Sequence, residues 1–287
     1  MTFDIEKMNK LPVGERFFDV NEIWYFMNRG VVRLLYPTSV TPNQITCLSL
    51  LFGLASAGFY ISGISDALMW GAVFLYGKMF LDNVDGNLAR VRGTTSRFGR
   101  FLDSLTDFLV TVLVYIAITM YVVRATAIPE YWILGLFGLL ACFLQSSFFV
   151  FYLVNYTSRV GSYEKNRVDE GVTEADKRKV EEGQTDPWDL RLQTLFVWAY
   201  GWQDKAVKKL DALFRSFARV PDNDADWYSD RKFLAWISPL CLCTNNMMLV
   251  IFSLLGQLEL FLLLLVSFVN MYGLGLLAWK VLRRTGR

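Results

Sequence analysis

The sequence predicts an all-α integral membrane protein with six transmembrane helices, an N-terminal interfacial amphipathic helix and a helical cytoplasmic insertion. Six apolar runs are each long enough to cross a bilayer, which takes roughly 20 helical residues. The chain is 54% hydrophobic and 20% charged, and most of the charged residues lie in a few polar segments between these runs. This distribution is typical neither of a soluble domain nor of a protein that lies within the membrane along its whole length.

The N-terminal region, residues 1–40, is predicted to lie outside the hydrocarbon core. Residues 17–36 mix aromatic and aliphatic side chains with Arg29 and Arg33, a pattern typical of an amphipathic helix in the membrane interface. An ordinary helix docked on the protein is the alternative. The first membrane helix then begins near Pro42, because proline is favoured at the start of a helix.

The insertion divides the membrane-spanning part in two. Residues 41–156 hold four spans, and residues 233–287 hold two spans and a basic C-terminus. The apolar runs cover residues 45–62, 66–90, 99–123, 131–155, 233–256 and 258–281. In the fifth run, Thr244, Asn245 and Asn246 are polar. We favour hydrogen bonds between helices as their role, and the alternative is that they line a substrate cavity.

The distribution of Lys and Arg predicts the orientation of the chain. Basic residues collect in 1–42, 90–100, 157–232 and 280–287, and six spans bring these four segments to one side. Positive charge marks the cytoplasmic side of a membrane protein. Both termini are therefore predicted to be cytoplasmic.

The segment 157–232 is predicted to be a cytoplasmic amphipathic insertion. Its first part, 162–186, is highly charged, whereas 187–220 carries aromatic and aliphatic side chains at helical spacing beside Lys208 and Lys209. One or two helices lying on an anionic leaflet would produce this pattern. A small helical cap packed on the cytoplasmic face would produce it equally well.

Composition excludes several classes of function. The chain has no histidine, which removes Ser-His-Asp and Cys-His catalysis and imidazole metal ligands. The four cysteines lie in apolar stretches, where thiols pack as small hydrophobic side chains. The net charge of +2 gives no indication of a nucleic-acid partner.

Four aspartates are the strongest functional signal. Asp82 and Asp85 share one helix face, and Asp103 and Asp107 are spaced i, i+4. Two helices joined by the short link 91–98 would bring all four carboxylates together, and their mutual repulsion would require bound cations. Oxygen ligands suit Mg²⁺ or Mn²⁺, so the sequence predicts a site for divalent metal ions, with the active site at the cytoplasmic side.

The spacing of this segment also resembles a known signature. Read from Asp82 to Asp107, the pattern D-x2-D-G-x2-A-R-x8-G-x3-D-x3-D matches all eight fixed positions of the CDP-alcohol phosphotransferase family. The segment TPNQIT, residues 41–46, is similar to the motif that precedes the first membrane helix in many members. The resemblance does not extend well over 157–232.

The resemblance implies a role for each matching residue. Two divalent metal ions would be bound by Asp82, Asp85, Asp103 and Asp107. The catalytic residues would be Asp107, as the general base, and Asp103, one turn before it. A nucleotide would be bound by Asn43, Asp85, Gly86, Ala89, Arg90, Ser96 and Gly99.

Three basic residues are further candidates. Lys78 lies one turn before Asp82, and because a lysine that faces lipid is costly, we predict that it pairs with an acid of the site or with a substrate phosphate. A purely structural ion pair is the alternative. Arg159 and Arg231 would either hold a phosphate of the acceptor or form a solvated rim.

The resemblance implies an enzyme of phospholipid synthesis. A phosphatidyl group would move from CDP-diacylglycerol to a small polar alcohol, which is inositol or its phosphate, glycerol phosphate or serine, with release of CMP. The alternatives are a CDP-choline or CDP-ethanolamine type of phosphotransferase that acts on diacylglycerol, a non-catalytic membrane relative, and an ion transporter. A homodimer is compatible with the resemblance.

Overall fold

The computed structural model describes residues 4–9, 11–25, 27–160, 170–221 and 224–286, and every regular element in these ranges is helical. Three 3-10 turns come first, at Ile5–Met8, Val13–Glu15 and Val20–Tyr25. The α-helices are α1 (Asn28–Leu35), α2 (Pro42–Ser62), α3 (Ala67–Arg92), α4 (Arg97–Thr126), α5 (Tyr131–Arg159), α6 (Glu174–Glu181), α7 (Pro187–Phe217), α8 (Ala225–Tyr228), α9 (Arg231–Ile237), α10 (Leu242–Leu254), α11 (Leu258–Leu264) and α12 (Asn270–Thr285).

Five stretches of the described chain are helical, long and apolar enough to cross a membrane, which makes this a multi-pass membrane protein. They are Pro42–Ser62, Arg97–Thr126, Tyr131–Arg159, Asp226–Leu254 and Leu258–Thr285. The predicted span 66–90 is not among them. Its helix, α3, has 26 residues, but Lys78, Asp82 and Asp85 make its second half polar. The count of six is therefore not confirmed.

The single helix predicted over 17–36 is not observed. A 3-10 turn ends at Tyr25, and only Asn28–Leu35 is α-helical. The first part of this region forms tertiary hydrogen bonds in place of an α-helix: Asn21 donates to the carbonyl of Ser238 at 3.1 Å and accepts from Thr244 at 2.8 Å. Tertiary contacts have overridden the amphipathic pattern here.

Close packing of α2 against its neighbours brings the site together. Gly71 of α3 leaves room for the Tyr60 ring, which a side chain at residue 71 would meet at 2.6 Å, and Ser56 donates to the Gly71 carbonyl at 2.7 Å. Gly53 receives the Val110 side chain of α4 in the same way. The three helices can approach closely because these positions carry no side chain.

The connection between α3 and α4 is a tight, capped turn. Gly93 ends α3 with a φ of +68°, in the left-handed region that glycine adopts without strain. Ser96 caps α4 by accepting a hydrogen bond from the Gly99 N–H at 3.0 Å. The C-terminal end of α3 therefore lies beside the N-terminal end of α4.

The insertion folds mainly as α7, a single helix of 31 residues. Its buried face contacts α4 and α5: the Tyr200 hydroxyl donates to the Ser104 carbonyl at 2.7 Å, and Ser147 donates to Gln203 at 2.6 Å. Its outer face exposes Trp188, Trp198 and Trp202. The charged part predicted at 162–186 contains the short helix α6, and residues 161–169 lie outside the described residues.

Polar groups of the fifth predicted span form bonds between elements, as we favoured. Asn245 of α10 donates to Gln145 of α5 at 3.1 Å, and Thr244 donates to Asn21. Gln145 in turn donates to the Leu265 carbonyl at 3.0 Å, where the chain forms one π-helical turn over Leu265–Val269. These side chains join α5 to the last two spans inside the bundle.

Candidate functional site

The four aspartates of α3 and α4 lie around one buried lysine. Lys78 is 2% exposed, and its Nζ lies 3.1 Å from an oxygen of Asp82, one turn further along α3. The same ammonium group is hydrogen-bonded to Asp107 of α4. Lys78 therefore joins the two helices through an ion pair at the level of the acid cluster.

The other two aspartates differ in how their oxygens are satisfied. Asp85 is buried and accepts a hydrogen bond from the hydroxyl of Thr46 of α2. Asp103 interacts electrostatically with the carboxylates of Asp82 and Asp85. Its Oδ1 is buried and has no hydrogen-bond donor among the described residues. Such an oxygen is costly unless a cation or a donor joins it.

A cavity of about 500 Å³ adjoins this acid cluster. It lies between the N-terminal ends of α2 and α4 and the C-terminal half of α3, with α5 on one side. It brings together the whole predicted nucleotide-binding set and one further acid, namely Asn43, Asp85, Gly86, Ala89, Arg90, Ser96, Gly99 and Asp103.

Two glycines keep part of the cavity wall free of side chains. A Cβ at Gly99 would lie 3.2 Å from the Ser96 hydroxyl and 3.3 Å from the Asn43 side-chain oxygen, so these two polar groups converge on the Gly99 backbone. A Cβ at Gly86 would lie 3.3 Å from the Arg90 guanidinium. Arg90 itself donates to the Met8 carbonyl at 2.8 Å, which holds it at the edge of the cavity.

The ends of two long helices give this cavity a positive character. The capping box of Thr41 and Gln44 begins α2 at the cavity, and the Ser96 cap begins α4 there. The free N–H groups and the positive dipole ends of helices favour anions. Arg90, Arg92 and Arg100 add cationic side chains to the wall.

The insertion covers one side of the site. Glu170 accepts a hydrogen bond from Arg100 at 2.5 Å, and Tyr200 of α7 contacts α4 at Ser104. Burial, together with the carboxylates of Asp103 and Asp82, raises the pKa of the Tyr200 hydroxyl well above its usual range. This hydroxyl therefore stays protonated and remains a hydrogen-bond donor next to the acids.

The structure places two weaker candidates elsewhere. The Arg159 guanidinium lies 5.1 Å from the centre of the Tyr228 ring, and Arg231 donates to the Gly14 carbonyl at 2.5 Å. Neither side chain is part of the cavity wall. Asp82, Asp107 and Lys78 do not line the cavity either; they form the adjoining ion-pair cluster.

Sequence reasoning missed several residues of the cavity. Thr46, one turn after Pro42, contacts Asp85, and Arg100 follows directly after Gly99. Arg92 lines the cavity but mainly binds backbone carbonyls before α2, including those of Tyr36 at 3.1 Å and Thr38 at 2.8 Å. The position of Thr46 one turn from Pro42 and Asn43 was a signal that could have identified it.

The aspartates meet some requirements of a metal site and not others. Within the described part of the chain, no three acidic or thiol groups surround one point as metal ligands do. The Lys78 ammonium separates Asp82 and Asp107 in this arrangement. The donor chemistry fits a hard divalent cation nevertheless, because all four groups are carboxylates and the buried Oδ1 of Asp103 has no donor in the described part of the chain.

More than half of the chain is similar to a known protein family. Residues 39–209, more than half of the chain, match the family model described as CDP-alcohol phosphatidyltransferase. This family is generally dependent on divalent metal ions. The match covers the cavity, the four aspartates and most of α7.

Curated relatives match shorter segments. A bifunctional IPC transferase and DIPP synthase of Aquifex aeolicus is 32% identical over 47% of this chain and 32% of its own length. An archaetidylinositol phosphate synthase of Pyrococcus horikoshii is 41% identical over 27% of this chain and 39% of its own. A phosphatidylinositol phosphate synthase of Corynebacterium glutamicum is 27% identical over 52% of this chain and 64% of its own. Each match thus spans less than two thirds of the relative.

Proposed function

This chain belongs to the CDP-alcohol phosphatidyltransferase family, and from that premise we propose that it is a phospholipid-synthesising enzyme. The reaction moves a phosphatidyl group from CDP-diacylglycerol to the hydroxyl of a small polar alcohol, and CMP leaves. The observation that carries this proposal is the cavity in which Asn43, Ser96 and Gly99 converge beside Asp85 and an unsatisfied carboxylate oxygen.

The donor binds in this cavity through its nucleotide and diphosphate. The volume of about 500 Å³ suits a nucleotide-sized group. Asn43 and Ser96 offer hydrogen bonds to the base or ribose, and the bare backbone at Gly86 and Gly99 allows close approach, as does the small side chain of Ala89. Arg90 and the N-terminal ends of α2 and α4 balance the charge of the diphosphate.

Asp82, Asp85, Asp103 and Asp107 are the residues that would hold two divalent metal ions, Mg²⁺ or Mn²⁺. When bound, such ions neutralise the diphosphate and stabilise the entering and leaving oxygens of a phosphoryl transfer. Thr46 orients Asp85 through its hydroxyl. Lys78 holds Asp82 and Asp107 in place and lowers their mutual repulsion.

Asp107 is the general base in this proposal, with Asp103 one turn before it on α4. A carboxylate removes the proton of the acceptor hydroxyl as that oxygen attacks the phosphorus distal to cytidine. Lys78 is a positioning residue for this step, because it contacts Asp107 directly. The acceptor phosphate, where there is one, is held on the Arg100 side of the cavity in preference to Arg159 or Arg231, which are not part of the cavity wall.

The acceptor to test first is inositol phosphate. Two of the relatives are named as synthases of phosphatidylinositol phosphate and archaetidylinositol phosphate. Inositol, glycerol phosphate and serine are the further acceptors, since the segment from Ser96 to Asp107 resembles the branch of the family that uses CDP-diacylglycerol. The CDP-choline or CDP-ethanolamine type of reaction is the second candidate function.

We place the site at the cytoplasmic membrane surface, with both termini on that side and α3 as a sixth span. Residues 109–126, the part of α4 beyond the acids, extend roughly 27 Å at 1.5 Å per residue, close to the thickness of a hydrocarbon core. The acids therefore stand at the interface, and α7, which contacts α4 at their level, lies along the interface with its tryptophans outward. The protein acts as a homodimer in this proposal.

The decisive experiment measures CMP release by the purified full chain in lipid vesicles. CDP-diacylglycerol and Mg²⁺ or Mn²⁺ are supplied with each acceptor in turn. We expect release that depends on one acceptor and on metal, and a fall of about 10²- to 10⁴-fold for Asp107→Asn, because a general base contributes that much. Asp66→Asn, which changes an exposed aspartate before α3, is the matched control.

Three outcomes would contradict the proposal. Undiminished release by the Asp107→Asn variant would remove the assigned base. Absence of release with every acceptor would turn the test to CDP-choline and CDP-ethanolamine with diacylglycerol, and failure there would leave the non-catalytic function. Metal flux into vesicles without CMP release would indicate a transporter.

A further inference from the structure

A buried lysine near the C-terminal end of α12 lies in a cage of aromatic rings. Lys280 is 6% exposed, and its Nζ lies 3.9 Å from the ring centre of Phe233, 4.3 Å from that of Tyr152 and 4.4 Å from that of Trp227. Among the described residues, this ammonium has no hydrogen-bond acceptor. Cation–π contacts offset only part of the hydration that a buried ammonium loses.

The Lys280 side chain also lines a second cavity, separate from the first, and its ammonium is buried beneath the cavity surface. This cavity has a volume of about 230 Å³, and Lys280, Arg283 and Arg284 bring three cationic side chains to it. Both arginines form ion pairs. Arg283 lies 3.2 Å from Asp230, and Arg284 lies 2.7 Å from Asp224. Lys280, which has no such pair among the described residues, is the most deeply buried of the three cations.

The nearby acids are engaged by other groups or exposed to solvent. Asp230, on the cavity wall, also caps α9 by accepting from the N–H groups of Lys232 and Phe233. Asp211 interacts electrostatically with Lys280 but is fully occupied by donors from α5, α7 and α8. Asp226 is an exposed residue at the cavity edge. An anion from outside the chain would therefore supply what Lys280 lacks.

The position of the cavity indicates which anions reach it. It lies at the end of the last candidate span, Leu258–Thr285. Trp279 and Trp236 are 38% and 58% exposed, and Leu282 is 69% exposed. Exposed tryptophans beside exposed aliphatic side chains are typical of the level of lipid headgroups. A phosphate group suits a site with several cations, because its oxygens can bind more than one of them.

We propose that this cavity binds the phosphate group of an anionic phospholipid or of a soluble phosphate ester, with Lys280 as the buried contact and Arg283 and Arg284 at the rim. The volume accommodates a phosphate and a small substituent. A bound phosphate would connect α12 to the ring-bearing helices α5, α8 and α9, so it stabilises the packing of the insertion on the membrane bundle. The catalytic cavity lies elsewhere and keeps its own ligands.

The test is a thermal-unfolding titration of the purified full chain in detergent. Short-chain phosphatidic acid, glycerol phosphate and inorganic phosphate are added in separate arms. We expect a saturable rise in Tm for the wild-type protein. For Lys280→Met the half-saturating concentration should rise at least about tenfold, because a charge-assisted hydrogen bond is lost. Lys205→Met, which removes an exposed lysine of α7, is the matched control and should respond as wild type.

The three arms identify the source of the phosphate. A response to phosphatidic acid alone assigns the site to a lipid headgroup, and a response in all three arms assigns it to phosphate esters in general. Binding in the catalytic cavity would shift every variant equally, so the difference between variants reports on this site. The measurement needs no turnover, and its result stands whether or not the proposed transferase activity is found.

A second variant keeps the test independent of the folding of Lys280→Met. Arg283→Gln combined with Arg284→Gln alters half-exposed side chains and leaves the aromatic cage intact. We expect weaker phosphate binding for this double variant as well. Equal titration curves for wild type and all variants, or no saturable rise in any arm, would overturn the proposal.

Discussion

Two carboxylates of this molecule lie inside the protein with opposite surroundings. Asp211 of α7 is 1% exposed, and each of its oxygens accepts two hydrogen bonds. The donors are the hydroxyls of Tyr152 at 2.5 Å and Tyr228 at 2.7 Å, the indole of Trp227 at 2.9 Å and the Nε of Arg215 at 2.8 Å. This aspartate is satisfied by the protein alone.

Asp103 of α4 is the opposite case. Its Oδ1 is buried without a donor from the described residues, and the like-charged carboxylates of Asp82 and Asp85 interact with it electrostatically. It borders the 500 Å³ cavity. Because folding alone does not favour such an arrangement, a carboxylate of this kind indicates a ligand, whereas a fully bonded one such as Asp211 indicates structure.

Among the variants that test this comparison, Asp103→Asn should have the largest effect, and it should fall on activity. Loss of a metal-binding carboxylate should lower CMP release by roughly 10³-fold, by analogy with the loss of other groups that stabilise the transition state. Without metal, the Tm should stay the same or rise, because a charge that repels Asp82 and Asp85 is removed. Activity and unfolding are measured together, with Asp66→Asn as control. Full activity of the Asp103→Asn variant would remove this residue from the site.

The next effect is expected from Asp211→Asn, and it should fall on stability. An amide presents N–H groups toward Arg215 and a tyrosine hydroxyl, so the variant should lose about 3 kcal/mol of unfolding free energy. Turnover of the protein that remains folded should change little. Asp189→Asn on the same helix is the control. Burial, followed by the charge of Asp186, raises the pKa of the Asp189 carboxyl, so replacing this carboxylate by a neutral amide should cost little stability. An unchanged unfolding curve would refute the structural role of Asp211.

The smallest effect is expected from Lys78→Met, which separates the structural role of this lysine from its part in the site. Asp82 and Asp107 lose their shared cation, so we expect a lower Tm without metal and a larger rise in Tm on addition of Mg²⁺ than in wild type. Turnover should fall about 10-fold, roughly the effect of losing one charge-assisted hydrogen bond. Lys205→Met serves again as control. If both folding and turnover were untouched, Lys78 would have no role in either.

Much of the fold follows from local sequence. Five of the six predicted spans coincide with helices that can cross a membrane, because an apolar helix of that length needs only its own composition to be recognised. The sixth predicted span, 66–90, is not confirmed, because the acids of the site lower the apolar character of its helix, α3. The region 17–36 differs because Asn21 finds partners more than 200 residues away.

The family, and the arrangement of the aspartates as one pair on α3 and one pair on α4, follow from the sequence alone, because both depend on spacing within one short segment. Tertiary packing brings Asn43 to Gly99 and Lys78 to Asp107. It also supplies Asp211 with four donors and leaves Lys280 without an acceptor among the described residues. The physical reason is the same in each case. Whether a buried charged group has a partner depends on how helices that are distant in the sequence pack together, and the spacing of residues within one segment does not predict that packing.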